Sequence, residues 1–186
     1  MAAARLIIGL MAASTAIAVV AGALFSDKRY ADQLIQQHQL KTPRDAFEFV
    51  IGRKQQQPHG APVCNGRSFR RLVDDPSGKL WCDEGAIVIA VLAQRLGHDT
   101  RLVDLHHQVT DISHHTIVEI KEESGWRAYD FTGRRAVDQA CDSVDYPCRA
   151  VRRTYPTMTH EWLLSNGLLR KGVEVWKGRS WDPSCW

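Results

Sequence analysis

After Cys82-Asp83-Glu84-Gly85 the chain runs through Ala86, Ile87, Val88, Ile89, Ala90, Val91, Leu92 and Ala93 to Leu96 and Gly97, with no charge between Gly85 and Arg95. The β-branched residues in this run would suit a strand. Its length, however, and a glycine placed to end it, predict a helix from Cys82 to Leu96 with Gly97 just past the cap. Such a helix is apolar on nearly every face, so it must be enclosed by the rest of the domain. The fold is therefore built around a central hydrophobic helix whose first residue is a cysteine.

Beyond Gly97 the period changes. Arg101 to Leu105, Thr116 to Ile120 and Trp126 to Phe131 have strand-like composition, and Glu122 to Gly125 reads as a tight turn between the last two. A buried helix followed by antiparallel strands describes an α+β domain. Upstream, Thr42-Pro43-Arg44-Asp45 reads as a helix start with Thr42 as N-cap, leading to a stop near Gly52. Asp27 to Leu40 is polar and Gln-rich and begins a helix or a connection. Gln55 to Gly66 reads as a loop and Asp74 to Gly78 as a turn, with an unassigned segment between them. After Gly133 the chain reads as irregular around Cys141, Pro147 and Cys148, with one further helix between Thr159 and Leu169. Val173 to Trp186 holds three of the six tryptophans and reads as an extended strap.

A chain of 186 residues with 44% hydrophobic content suits one domain, residues 26–186, plus an appendage, residues 1–25. In that appendage Leu6 to Phe25 is uncharged and long enough to cross a bilayer as a helix. Ala21-Gly22-Ala23 would serve a cleaved signal, and Ser26-Asp27-Lys28-Arg29 would flank a retained anchor. Either way the domain is expected on the periplasmic or extracellular side, exported or membrane-anchored. The net charge of +3 is spread along the chain, which gives no case for nucleic acid. Five cysteines, Cys64, Cys82, Cys141, Cys148 and Cys185, make an odd count, which in an exported chain means two disulfides and one free thiol. With Cys82 free, proximity in sequence suggests Cys141 with Cys148 and Cys64 with Cys185.

A thiol attacks as thiolate, and the unpaired donors of a helix N-terminus favour that anion at Cys82. Asp83 and Glu84 oppose it, so a basic partner is needed. His115 opens a strand that could run beside the helix, and a Cys and His pair in hydrogen-bond reach shares a proton. Asp130, at the end of the next strand, is brought near His115 by the hairpin and can orient the imidazole. The backbone amide of Cys82 is a candidate oxyanion donor, and Trp81 is adjacent. Glu119 reads as an exposed strand residue or a salt-bridge partner.

The series Trp81-Cys82-Asp83-Glu84-Gly85, Leu96-Gly97-His98-Asp99-Thr100-Arg101-Leu102-Val103, His115-Thr116-Ile117-Val118-Glu119 and Tyr129-Asp130-Phe131-Thr132 resembles the transglutaminase-like superfamily. The likeness covers about a third of the chain, roughly Leu80 to Gly133. It rests on the order and spacing of the four pieces together. The register of Val118-Glu119 selects His115 over His114. The resemblance implies a papain-like fold and acyl transfer on amide bonds by Cys82, His115 and Asp130, with a protein or peptide substrate and no cofactor. Hydrolysis is expected over transamidation, since no additional domain is visible to recruit a second protein.

Two other readings compete. One is a catalytically idle, membrane-tethered binding or assembly module. The other is a metal site in the cluster His106, His107, Asp111, His114 and His115. Adjacent histidines on a strand point to opposite faces, which weakens the metal reading.

Overall fold

The computed structural model describes residues 27–58, 67–106, 113–137 and 151–154. The predicted central helix is α4, Cys82–Arg95, and Ala86 to Ala93 along it are all buried. Its end is fixed by local chemistry. Gly97 adopts a φ of 93° and donates to Gln94 O at 2.9 Å, while His98 N donates to Ala93 O at 3.0 Å. These two bonds satisfy carbonyls that the last turn would leave unpaired, and the positive φ is what requires glycine.

Around α4 pack three other helices. α1 covers residues 27–38. α2, Pro43–Arg53, is opened by a capping box in which Asp45 N donates to Thr42 Oγ1 at 3.1 Å and Thr42 N donates to Asp45 Oδ2 at 2.9 Å. The predicted cap and first turn are thus as observed, with the end one residue past Gly52. α3, Phe69–Asp74, occupies the segment that had no assignment and buries Phe69 and Leu72. A two-stranded parallel pair, β1 (Gln55–Gln56) with β2 (Lys79–Leu80), lies just before α4. Gln55 to Gly66 therefore does not begin as a loop.

On the other side of α4 is an antiparallel sheet. Its strands are β3 (Thr100–His106), β4 (Ser113–Glu122), β5 (Gly125–Asp130), β6 (Arg135–Val137) and β7 (Val151–Thr154), in the order β6-β5-β4-β3-β7. The architecture is α+β, with helices packed on an antiparallel sheet. The hairpin between β4 and β5 closes with Glu122 opposite Gly125, as the turn composition predicted. After Gly133 come two strands that the sequence does not predict, β6 and β7, on the two edges of the sheet, and the irregular stretch expected around Cys141, Pro147 and Cys148 lies outside the described residues.

Both faces of the sheet are buried. Leu102, Val118 and Tyr129 are cross-strand neighbours and join the helices in one core with Phe47, Phe69 and Phe131. The adjacent row, Val103 and Ile117, points the opposite way and forms a second cluster with Leu105 and Ala128. Each large aliphatic side chain so enclosed stabilises the fold by about 1.5 to 3 kcal/mol. Glu119 is also enclosed, at 2% exposure, where it accepts from Arg101 Nε at 2.6 Å. It is a salt-bridge partner, as one expectation had it, and not an exposed strand residue.

No helix among the described residues is long and apolar enough to cross a membrane. The hydrophobic segment 1–25, the helix expected at 159–169, the Trp-rich tail and the four cysteines other than Cys82 lie outside the described residues.

Candidate active site

Cys82 is the first residue of α4, and Trp81 before it is the N-cap, in an extended conformation. The first intrahelical bond runs from Gly85 N to Trp81 O at 2.9 Å, so the amide of Cys82 itself has no acceptor within the helix. That amide is one of the unpaired donors of the helix N-terminus. The thiol is free and half-buried. β1 approaches from the other direction, where Gln57 N donates to Leu80 O at 2.8 Å, two residues before the thiol.

His115 and Asp130 reach this point from the sheet. The last registered pair of the hairpin at this end is Val118 with Tyr129. His115, three residues earlier on β4, and Asp130, one residue later on β5, therefore share one end of the sheet. His115 Nε2 lies 2.9 Å from Asp130 Oδ1, with both side chains at 3 to 4% exposure. An ionised carboxylate only accepts, so Nε2 carries the hydrogen and donates. Cys82 is hydrogen-bonded to the same imidazole, and Nδ1 is the nitrogen left for it. The imidazole thus stands between thiol and carboxylate.

Burial alone would lower the pKa of His115. The hydrogen bonds and charges of Asp130 and Cys82 outweigh it and push the imidazole up to about 9. For Asp130, burial acts to raise the carboxyl, but His115, the Gly133 amide and the Arg135 charge hold it below its ordinary value. Gly133 N donates to Asp130 Oδ1 at 3.0 Å. A Cβ at Gly133 would sit 2.6 Å from Asp130 Oδ2, so the glycine is what lets the chain fold back over the carboxylate. Thr132 and Arg134, on either side, anchor this turn: Thr132 Oγ1 donates to Gln56 Oε1 at 2.9 Å, and Arg134 Nη2 to Ile51 O at 2.7 Å.

The helix and the strand end are locked together by a close approach. A Cβ on Gly85 would lie 2.2 Å from the Phe131 ring, which is fully buried. One turn after Cys82, the helix therefore rests directly on the residue after Asp130. This contact sets how far the thiol lies from the sheet.

Glu84, expected with Asp83 to oppose a thiolate, turns its carboxylate inward, at 4% exposure, and caps Trp81 N at 2.9 Å. Arg67 clamps it bidentately, Nε to Oε1 at 2.9 Å and Nη2 to Oε2 at 2.5 Å, and also reaches Asp75. Burial raises the Glu84 carboxyl and Arg67 works against it. Burial would lower Arg67, but its carboxylates hold it above its ordinary value. Two guanidinium bonds and one backbone donor thus converge on the carboxylate in a salt bridge.

Of the predicted residues, Cys82, His115 and Asp130 are brought together, with Trp81 half-buried beside the thiol. Of the histidine cluster, only His115 has a described side chain. Among the described residues no group of three or more His, Cys, Asp or Glu could hold a metal ion. Arg67, Gly85, Gly133 and the role of Glu84 were not read from the sequence. Only Glu84 had a signal, standing three residues after the N-cap where a capping box places a glutamate.

No family model matches the chain, and a search of the curated proteins gives no match.

Proposed function

We propose that this chain is a thiol acyl-transfer enzyme acting on amide bonds, with a papain-like arrangement of the transglutaminase-like kind. Cys82 is its nucleophile, His115 its base and acid, and Asp130 its orienting carboxylate. The observation that carries the reading is the His115 imidazole, buried and held between Asp130 on Nε2 and the Cys82 thiol. A structural histidine needs one partner, whereas a proton shuttle needs a nucleophile on one nitrogen and an orienting group on the other.

Each step then has a residue. The Cys82 sulfur, its proton on His115, attacks the amide carbonyl carbon and forms a C–S bond, and the carbonyl oxygen becomes an oxyanion facing the Cys82 amide. Collapse breaks the C–N bond, and the leaving amine takes the proton from His115. Water or a second amine then gives a proton back to His115 as it attacks the thioester, and the C–S bond breaks to restore thiolate and imidazolium. Asp130 keeps the charged imidazole stable in each half.

The substrate class this implies is a protein or peptide chain. The uncharged Leu6 to Phe25 stretch supports action at or beyond a membrane, as leader or anchor. Treating the full chain with peptidyl vinyl sulfones should add one probe mass at Cys82, and H115A should lose it. Addition that is indifferent to H115A, or none at all, counts against the reading.

A further inference from the structure

The segment before α3 contributes a side chain to the first turn of α4 that the reaction above does not use. Arg67 is 13% exposed and grips both oxygens of Glu84, itself 5% exposed, two residues after the thiol. Its remaining nitrogen reaches Asp75. The same Glu84 oxygen that meets Arg67 Nη2 accepts from Trp81 N, the residue before Cys82. One guanidinium is thus tied, through one carboxylate, to the backbone that presents the nucleophile.

Bond count alone would make this a structural clamp. Charge makes it more. A carboxylate at Glu84 caps the helix start, but its negative charge, on the same first turn as a sulfur that must become an anion, disfavours that anion. Arginine resolves the conflict, because it keeps its charge throughout the working range and meets a carboxylate with two parallel bonds. Resting on the thiol-enzyme reading proposed above, we infer that Arg67 is a positioning residue for Cys82: it fixes the helix start through Glu84 and cancels the charge that Glu84 brings.

The other groups around the thiol are accounted for. Asp83 lies on the same helix and is half-buried, His115 comes from β4, and Asp130 from β5 with Arg135 on β6 beside it. Arg67 and Asp75 come from the two ends of the α3 segment. Among these, Arg67 is the cation bonded to the capping carboxylate.

The test is the pH dependence of Cys82 alkylation by iodoacetamide, read by mass spectrometry on the full chain. Wild type, R67M, E84Q and the double variant R67M/E84Q are compared, with H115A as reference. R67M should move the curve to higher pH and cut the rate near pH 6 by about threefold to tenfold. E84Q leaves an amide oxygen for Trp81 N and removes one negative charge while Arg67 keeps Asp75, so its curve should move to lower pH. The double variant should return close to wild type. A merely structural clamp would slow both single variants and leave the double no better, and that result overturns the inference. So does an R67M curve that follows wild type. If circular dichroism shows R67M unfolded, E84Q decides: a curve at or above the wild-type pH overturns the inference. A wild-type curve identical to H115A defeats the thiol-enzyme reading itself, and this inference with it.

Discussion

Two buried carboxylates flank the thiol, each bonded to a cation. Asp130 holds His115 at 2.9 Å, and Glu84 holds Arg67 at 2.5 and 2.9 Å, with every carboxylate at 5% exposure or less. Burial and distance hardly separate them. The difference is the cation: the imidazole, even pushed up to about 9, can still give up its proton, and a guanidinium cannot. The first pair can therefore move protons for Cys82, and the second can only hold charge and backbone in place. Similar geometry yields a chemical group on one side of the helix start and a fixed support on the other.

Breaking the titratable pair should cost most. D130A strips the buried imidazole of its counter-charge, and unfolding by denaturant near pH 6 should show a loss of about 3 to 5 kcal/mol. A loss below about 1 kcal/mol would mean that His115 is not held charged by Asp130. E84A comes next, at about 2 to 3 kcal/mol, because Trp81 N loses its acceptor while Arg67 keeps Asp75. E84Q should recover a good part of that, since the cap remains.

Smaller still is the contact between the helix and the sheet. G85A forces a methyl into the Phe131 ring, and overpacking of this kind costs about 2 kcal/mol. Labelling of Cys82 should slow in G85A even where the fold survives, because the thiol is pushed away from His115. Unchanged labelling would show that the Phe131 contact does not set the thiol's position.

The last comparison is by pH. His115 holds its proton to about 9 in the fold against an ordinary 6.5. Its folded pKa is raised, so its contribution is complete below 6.5 and is lost as pH rises through 9. Between these limits wild-type stability should fall by about 1 kcal/mol per pH unit, and in H115A that slope should vanish. Asp130 has the opposite sign: its carboxyl is held below 3.8, so its contribution is present above that value and lost in acid. The Arg67 pair should add no slope on the alkaline side, which separates the two pairs directly.

Much of this was legible in the sequence, for identifiable reasons. α4 carries its own length, its own stop and an apolar surface with one place to go, so both ends could be read. The Thr42 cap and the hairpin at Glu122 to Gly125 are local chemistry. Cys82, His115 and Asp130 could be picked because each sits at or near an element end, where order and spacing decide which residues meet. By contrast β1, β2, β6 and β7 are two to four residues long and too short to show a period. They exist because a neighbouring strand offers bonds, which composition does not record. Arg67 meets Glu84 across 17 positions from a segment that carries no assignment in the sequence, so nothing local links them. The fit of Gly85 on Phe131 is likewise a property of packed layers and not of either segment.

Whether His115 takes the proton of Cys82 is read from the labelling rate of Cys82 by iodoacetamide across pH in the full chain, wild type beside H115A. Near pH 6 wild type should label at least about tenfold faster than H115A, with D130N in between. Equal rates in wild type and H115A at every pH would contradict that proton transfer.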